Sequence, residues 1–235
     1  KHISKLSKEN FILLFELSNT INNSIFDLLS ISNCYKEVVF FHKTISENLE
    51  IINSKDRLNI FNDKLDKLKV SVNPGDKVVE ISRIKAVKFY ESNQVDTAGD
   101  KTVFGQLFQK MKKYPLKNYC SQADNRLYIV TLLGEGSTDY GGPYRDVLTT
   151  ICDELQSNYL ELFIKSPNHK NEIGLLRDKW VPNPSAKSAV NLDMYFFLGC
   201  MLGHAISSGH LLSLNLHPIV WNKILNIENG TFSDI

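Results

Sequence analysis

The stretch Gly134-Glu-Gly-Ser-Thr-Asp-Tyr-Gly-Gly142 concentrates small, acidic and hydroxyl residues that could bind or react. Glycine-rich loops bind dinucleotides when three glycines in GxGxxG spacing let the backbone approach the pyrophosphate. Gly134 and Gly136 begin that spacing, but Asp139 stands where the third glycine belongs. A phosphate-binding P-loop needs a terminal Gly-Lys-Ser/Thr, which is absent. The segment therefore reads as a tight turn, with Gly141 or Gly142 at positive φ and Asp139 bonding nearby backbone N–H groups. Ser137 does not sit in a GxSxG elbow, so a hydrolase nucleophile is not signalled. His169, His204, His210 and His217 lack HxxxH and HExxH spacing, and His204 falls within an apolar run, as a core histidine does. The cysteines are Cys34, Cys120, Cys152 and Cys200, with no CxxC pair. Cys152 and Cys200 lie within predicted apolar helices, where burial raises a thiol pKa and blocks access. Taken alone, these residues define no catalytic, cofactor-binding or metal-binding set.

Around those positions the hydrophobic pattern places the elements. Leu127 to Leu133 is rich in β-branched and aromatic residues and nearly apolar on both faces, which predicts a buried strand. Pro143 suits the first turn of a following helix, with Val147, Leu148, Ile151 and Leu155 on its apolar face. Thr102 is placed to cap a helix from Val103 to about Lys113, which Tyr114-Pro115 ends. Leu192 to Ser208 reads as a buried central helix with Leu198, Leu202 and Ile206 in the core. Gly199 and Gly203 would leave room there for a close neighbour, and Ser208-Gly209 stops the helix. A short helix is expected around Pro218 to Ile224.

The first seventy residues carry three amphipathic stripes: Phe11 to Leu29, Val38 to Ile52 and Leu58 to Leu68. The turn signal Asn73-Pro74-Gly75 separates a helical extension, 1–75, from the rest, 76–235. Val78, Val79 and Ile81 follow it as a short extended piece. The fold class is α+β, mostly helical, with a small sheet.

Composition narrows the class further. The chain has 235 residues, 43% hydrophobic and 23% charged, as in ordinary soluble globular proteins. Its net charge of +1, with lysine far in excess of arginine, gives no signature of nucleic-acid binding. Scattered cysteines suit reduced thiols in a cytosolic or nuclear protein. The apolar runs are broken by polar residues, so no membrane span is expected. The absence of an initial Met suggests a piece of something larger.

Several segments in fixed order carry a family resemblance. They are Val103-Phe-Gly-Gln-Leu-Phe-Gln109, the loop from Gly134 through Gly142-Pro-Tyr-Arg-Asp146, and Cys152-Asp-Glu-Leu155. Ser166-Pro-Asn168, Arg177-Asp178 and Asn183-Pro-Ser-Ala186 follow, then Phe197-Leu-Gly-Cys-Met-Leu-Gly-His-Ala-Ile206, Ser213-Leu-Asn-Leu216 and Val220-Trp-Asn-Lys223. Together they resemble the amino-terminal lobe of HECT ubiquitin ligases of the large HERC-like subgroup, over residues 76–235. The resemblance implies a transferase that accepts ubiquitin from an E2 conjugating enzyme as a cysteine thioester and passes it to substrate lysines. It implies E2, ubiquitin and protein substrates as partners, and a catalytic cysteine in a Thr-Cys-Phe-like setting of a carboxy-terminal lobe. That setting is absent here, so none of the four cysteines is assigned the role, and this chain alone is expected to be inactive. A non-catalytic helical interaction module sharing the fold is the alternative.

Overall fold

The computed structural model describes residues 73–120, 126–136 and 141–224, together with 58–59, 62–63, 65–67 and 69–71. The helical stripes expected over 1–57, Cys34, Ser137 and Asp139 lie outside the described residues. Of the third stripe, Leu58 and Leu65 are described; both are helical, and Leu58 is exposed. The chain divides into two compact units between Leu68 and Lys69, and the elements below belong to the second.

That unit is α+β and mostly helical. After a helical turn at Pro74–Asp76 come β1 (Val78–Ile81), α1 (Arg83–Tyr90) and α2 (Val103–Met111). A second turn at Leu116–Cys120 leads to β2 (Ile129–Leu132) and α3 (Gly142–Leu155). The remainder is β3 (Phe163–Lys165), α4 (Pro167–Asn171), β4 (Trp180–Pro182), α5 (Ala189–Ser208) and α6 (Pro218–Ile224). β1 and β2 pair in parallel, Val79 opposite Val130 and Ile81 opposite Leu132. β3 and β4 form an antiparallel pair.

Local chemistry sets the boundaries. The side chains of Thr102, Ser166 and Ser188 accept hydrogen bonds from the N–H groups of Gly105, His169 and Asn191, capping α2, α4 and α5. Gly209, at φ 74°, ends α5 in the left-handed region that glycine enters without strain. Gly141, at φ 101°, turns the chain into α3, with Pro143 in its first turn, as the sequence predicts.

The strand Leu127–Leu133 is shorter than expected and buried on one face. Val130 and Leu132 are inside, while Ile129 and Thr131 are half-buried. A two-stranded sheet receives helices α2 and α3 on one side, leaving the other partly open, as the exposure of Val78 confirms.

The core gathers Val79, Ile81, Phe104, Leu107, Met111, Tyr144, Ile151, Leu155 and the inner face of α5. By length and composition α5 could cross a membrane, but Met194, Phe197, Leu198 and Met201 pack in this core. One expectation for α5 is corrected. Leu198 is buried and Leu202 half-buried, but Ile206 is 59% exposed. Steps of four residues advance about 400° on a helix with 3.6 residues per turn, so eight residues rotate the side chain about 80° off the starting face. The buried line instead runs Met194, Phe197 and Leu198, Met201, His204 and Ala205. Gly199 and Gly203 are also exposed, and a Cβ at either would meet nothing within 4 Å, so no close neighbour explains them. Ile206→Ala is therefore expected to change unfolding free energy by at most about 0.5 kcal/mol. Leu202→Ala should cost roughly 1–3 kcal/mol, at or below the low end for a full core cavity. Urea unfolding followed by circular dichroism reads both; a larger loss at Ile206 than at Leu202 would refute the assignment of faces.

Candidate functional site

The strand–turn–helix of β2 and α3 is the part of the sequence richest in chemical signals. Its loop is held from outside by Arg83 at the start of α1. The Arg83 Nε donates to Glu135 Oε1 at 2.8 Å, and the guanidinium also pairs with Glu135 Oε2 and with Asp146 on α3. The Arg83 guanidinium in turn holds the Glu135 carboxyl below its usual range. An acidic loop neutralised by an arginine serves as a mechanical tie between α1, the turn and α3. Behind the turn, Arg126, Tyr144, Arg145 and His210 line a cleft of about 540 Å³ beside the start of α3.

At the other end of α3 lies a buried carboxylate. Glu154 is 3% exposed and accepts from the backbone N–H groups of Val103 and Phe104, each at 2.6 Å, and from the Tyr90 hydroxyl. These are free donors of the first turn of α2, so one side chain on α3 closes the start of α2 and ties in α1. Burial pushes the Glu154 carboxyl up to about 7 despite those donors. Beside it, Asp96 is 3% exposed and accepts from the N–H groups of Asp100, Lys101 and Thr102 and from the Thr102 hydroxyl, at 2.8–3.0 Å. Neither carboxylate was singled out from the sequence. For Glu154 a signal existed: it falls three residues after Ile151 and seven after Val147, on the apolar face of the helix.

The sequence-derived candidates are dispersed, except that His204 and His210 stack with ring centroids 6.3 Å apart. Cys152 and Cys200 are buried in α3 and α5. Burial pushes the Cys152 thiol up to about 11, and that of Cys200 also upward, away from a reactive thiolate. Cys120 is partly exposed at the end of the turn 116–120, with its carbonyl accepting from Val70 N–H at 3.0 Å. His204 is buried and its Nδ1 donates to the Tyr119 carbonyl at 2.9 Å. His169 makes a similar bond to the Lys179 carbonyl, and the His217 Nδ1 accepts from Ile219 N–H. These are structural bonds in three separate places. Among the described residues, no three of His, Cys, Asp and Glu converge as metal ligands would.

The helices α2, α3 and α5 thus form the frame on which these side chains sit, and part of it is similar to known proteins. A family model described as the HECT-domain (ubiquitin-transferase) matches residues 149–235. The mouse E3 ubiquitin-protein ligase HERC2 is 36% identical over 152 residues, 64% of this chain, and human HERC2 matches to the same extent. The human probable E3 ubiquitin-protein ligase HECTD4 is 26% identical over 133 residues, 54% of this chain. The chain spans about 3% of the length of each of these relatives. The HECT match begins inside α3 and takes in β3, β4, α5 and α6. The likeness to HERC2 supports the HERC-like resemblance read from the sequence.

Proposed function

We propose that this chain is the scaffold portion of a HECT-type E3 ubiquitin ligase, with residues 76–235 forming part of the amino-terminal lobe. The observation that carries this reading is the HECT match over 149–235, which includes the core helix α5. In this reading the parent enzyme works in two steps. A cysteine thiolate attacks the carbonyl of the E2–ubiquitin thioester, and the E2 thiolate leaves. The amine of a substrate lysine then attacks the new thioester, an amide forms, and the enzyme thiolate leaves. In this reading the reacting cysteine lies outside this chain, whose sequence has no Thr-Cys-Phe setting; the burial of Cys152 and Cys200, with thiols pushed upward, supports that assignment. The chain's contribution is a rigid support from which the partner-binding and transfer parts project. E2, ubiquitin and protein substrates are the partners, in the cytosol or nucleus.

The test is ubiquitin loading of the protein extended past Ile235 as its gene encodes it. With activating enzyme, E2, ubiquitin and ATP, a reductant-sensitive ubiquitin adduct is expected on the extended protein. No adduct with any E2 of a broad panel would reject the ligase reading and leave a HECT-like fold serving as an interaction module.

A further inference from the structure

An apolar groove of about 1110 Å³ lies between the β3–β4 pair, α4 and α6. Its origin is the strand alternation. Phe163 points into the core, so Ile164 points out, and Val181, its cross-strand partner, lies beside it. Pro167, Pro182 and Pro184 add apolar surface with little freedom to lose. On the facing side α6 contributes Ile219, Val220 and Ile224, the last 60% exposed. Lys165, Lys170 and Lys223 complete the lining, which among the described residues contains no Asp or Glu. None of these lysines forms an ion pair among the described residues, whereas lysines elsewhere, such as Lys85, Lys101 and Lys179, do.

We propose that this groove is a docking site for a protein segment with an apolar face flanked by acidic side chains. Apolar surface with unpaired cations at its border is complementary to that chemistry, and the prolines keep the surface formed before binding. A second copy of the chain fits it poorly, since a two-fold contact through this face would bring both sets of lysines together. The inference does not depend on ubiquitin transfer, and its test measures binding alone.

The probes are fluorescein-labelled amphipathic peptides with leucine at i, i+3, i+4 and i+7 and matched flanks of Glu, Gln or Lys. Fluorescence anisotropy is recorded with the whole 235-residue protein. The Glu peptide is expected to bind about tenfold or more tightly than the Lys peptide, with the difference shrinking as salt is raised. The exposed triple change Lys165→Glu, Lys170→Glu, Lys223→Glu should invert that order, and Ile224→Asp should weaken every peptide. Equal affinity for all three peptides, or no binding, would overturn the proposal. So would self-association abolished by Ile224→Asp, which assigns the groove to a second copy. Photo-crosslinks from position 164 to the chain's own residues would overturn it as well.

Discussion

Gly105→Ala is expected to destabilise the protein by about 3 kcal/mol or more, toward and beyond the upper end of the overpacking range. Gly105 is buried in the first turn of α2, against the loop that carries Asp96. A Cβ there would lie 2.6 Å from Asp96 Oδ2, 2.6 Å from the Gly99 carbonyl carbon and 2.8 Å from the Asp100 nitrogen. Two of those atoms are backbone, so a side-chain rotation cannot relieve the contact. Moving the loop would break the four donor contacts that satisfy the buried Asp96 carboxylate, and an unsatisfied buried charge is costly. Gly203→Ala is the control. It sits in a helix with nothing within 4 Å of the new methyl group, and alanine there should be neutral or stabilising by up to about 1 kcal/mol. Chemical denaturation distinguishes the two. Equal effects from both substitutions would show that α2 does not approach the loop so closely.

Glu154→Ala carries the second large effect. It removes the acceptor for two buried backbone N–H groups at the start of α2 and for the Tyr90 hydroxyl. An orphaned buried donor costs about 1–3 kcal/mol, so the two amides alone imply roughly 2–6 kcal/mol. The same residue gives stability a distinctive pH dependence. Its carboxyl is raised from 4.5 to about 7 by burial. Between those values the folded state binds more protons than the unfolded state, so stability falls as pH rises. This contribution is fully present below about 4.5 and lost as pH rises through about 7. His204 acts in the opposite sense: burial lowers its pKa, so its contribution is present above its ordinary value and lost toward acid. Glu154→Gln cannot titrate. The difference between parent and variant unfolding free energies across this pH range therefore isolates Glu154. A difference that does not change with pH would show that the carboxylate keeps an ordinary pKa in the fold.

The features legible in the sequence are those fixed by local chemistry. Thr102 as a cap, Gly141 with Pro143 at a helix start, and Ser208-Gly209 at a helix end each express a short-range rule, and each is where expected. The inner face of α5 was only partly legible, because the helix is apolar almost all round. With Leu192, Phe196 and Ile206 exposed, hydrophobicity alone cannot say which side faces the core. The donors at Glu154 depend on segments some fifty residues apart meeting in space, and the close approach at Gly105 on the preceding loop folding back over the start of α2. No spacing rule within one element reports such a meeting, although the apolar surroundings of Glu154 offered a hint. The groove beside Ile164 was invisible for the same reason, as β3, α4, β4 and α6 had to assemble before its lysines shared a rim.

The most direct measurement is ubiquitin loading of the 235-residue protein itself. Thioester exchange needs an accessible, activated sulfur brought to near contact with the E2 thioester. Cys152 and Cys200 are buried with raised pKa values, and Cys120 ends a helical turn as a partly exposed residue. Incubated with activating enzyme, a panel of E2 enzymes, ubiquitin and ATP, and run on a non-reducing gel, the protein is expected to show no adduct. A reductant-sensitive band at the mass of this chain plus ubiquitin, lost when one of its cysteines is changed to Ser, would contradict the scaffold role and place a reacting thiol within it.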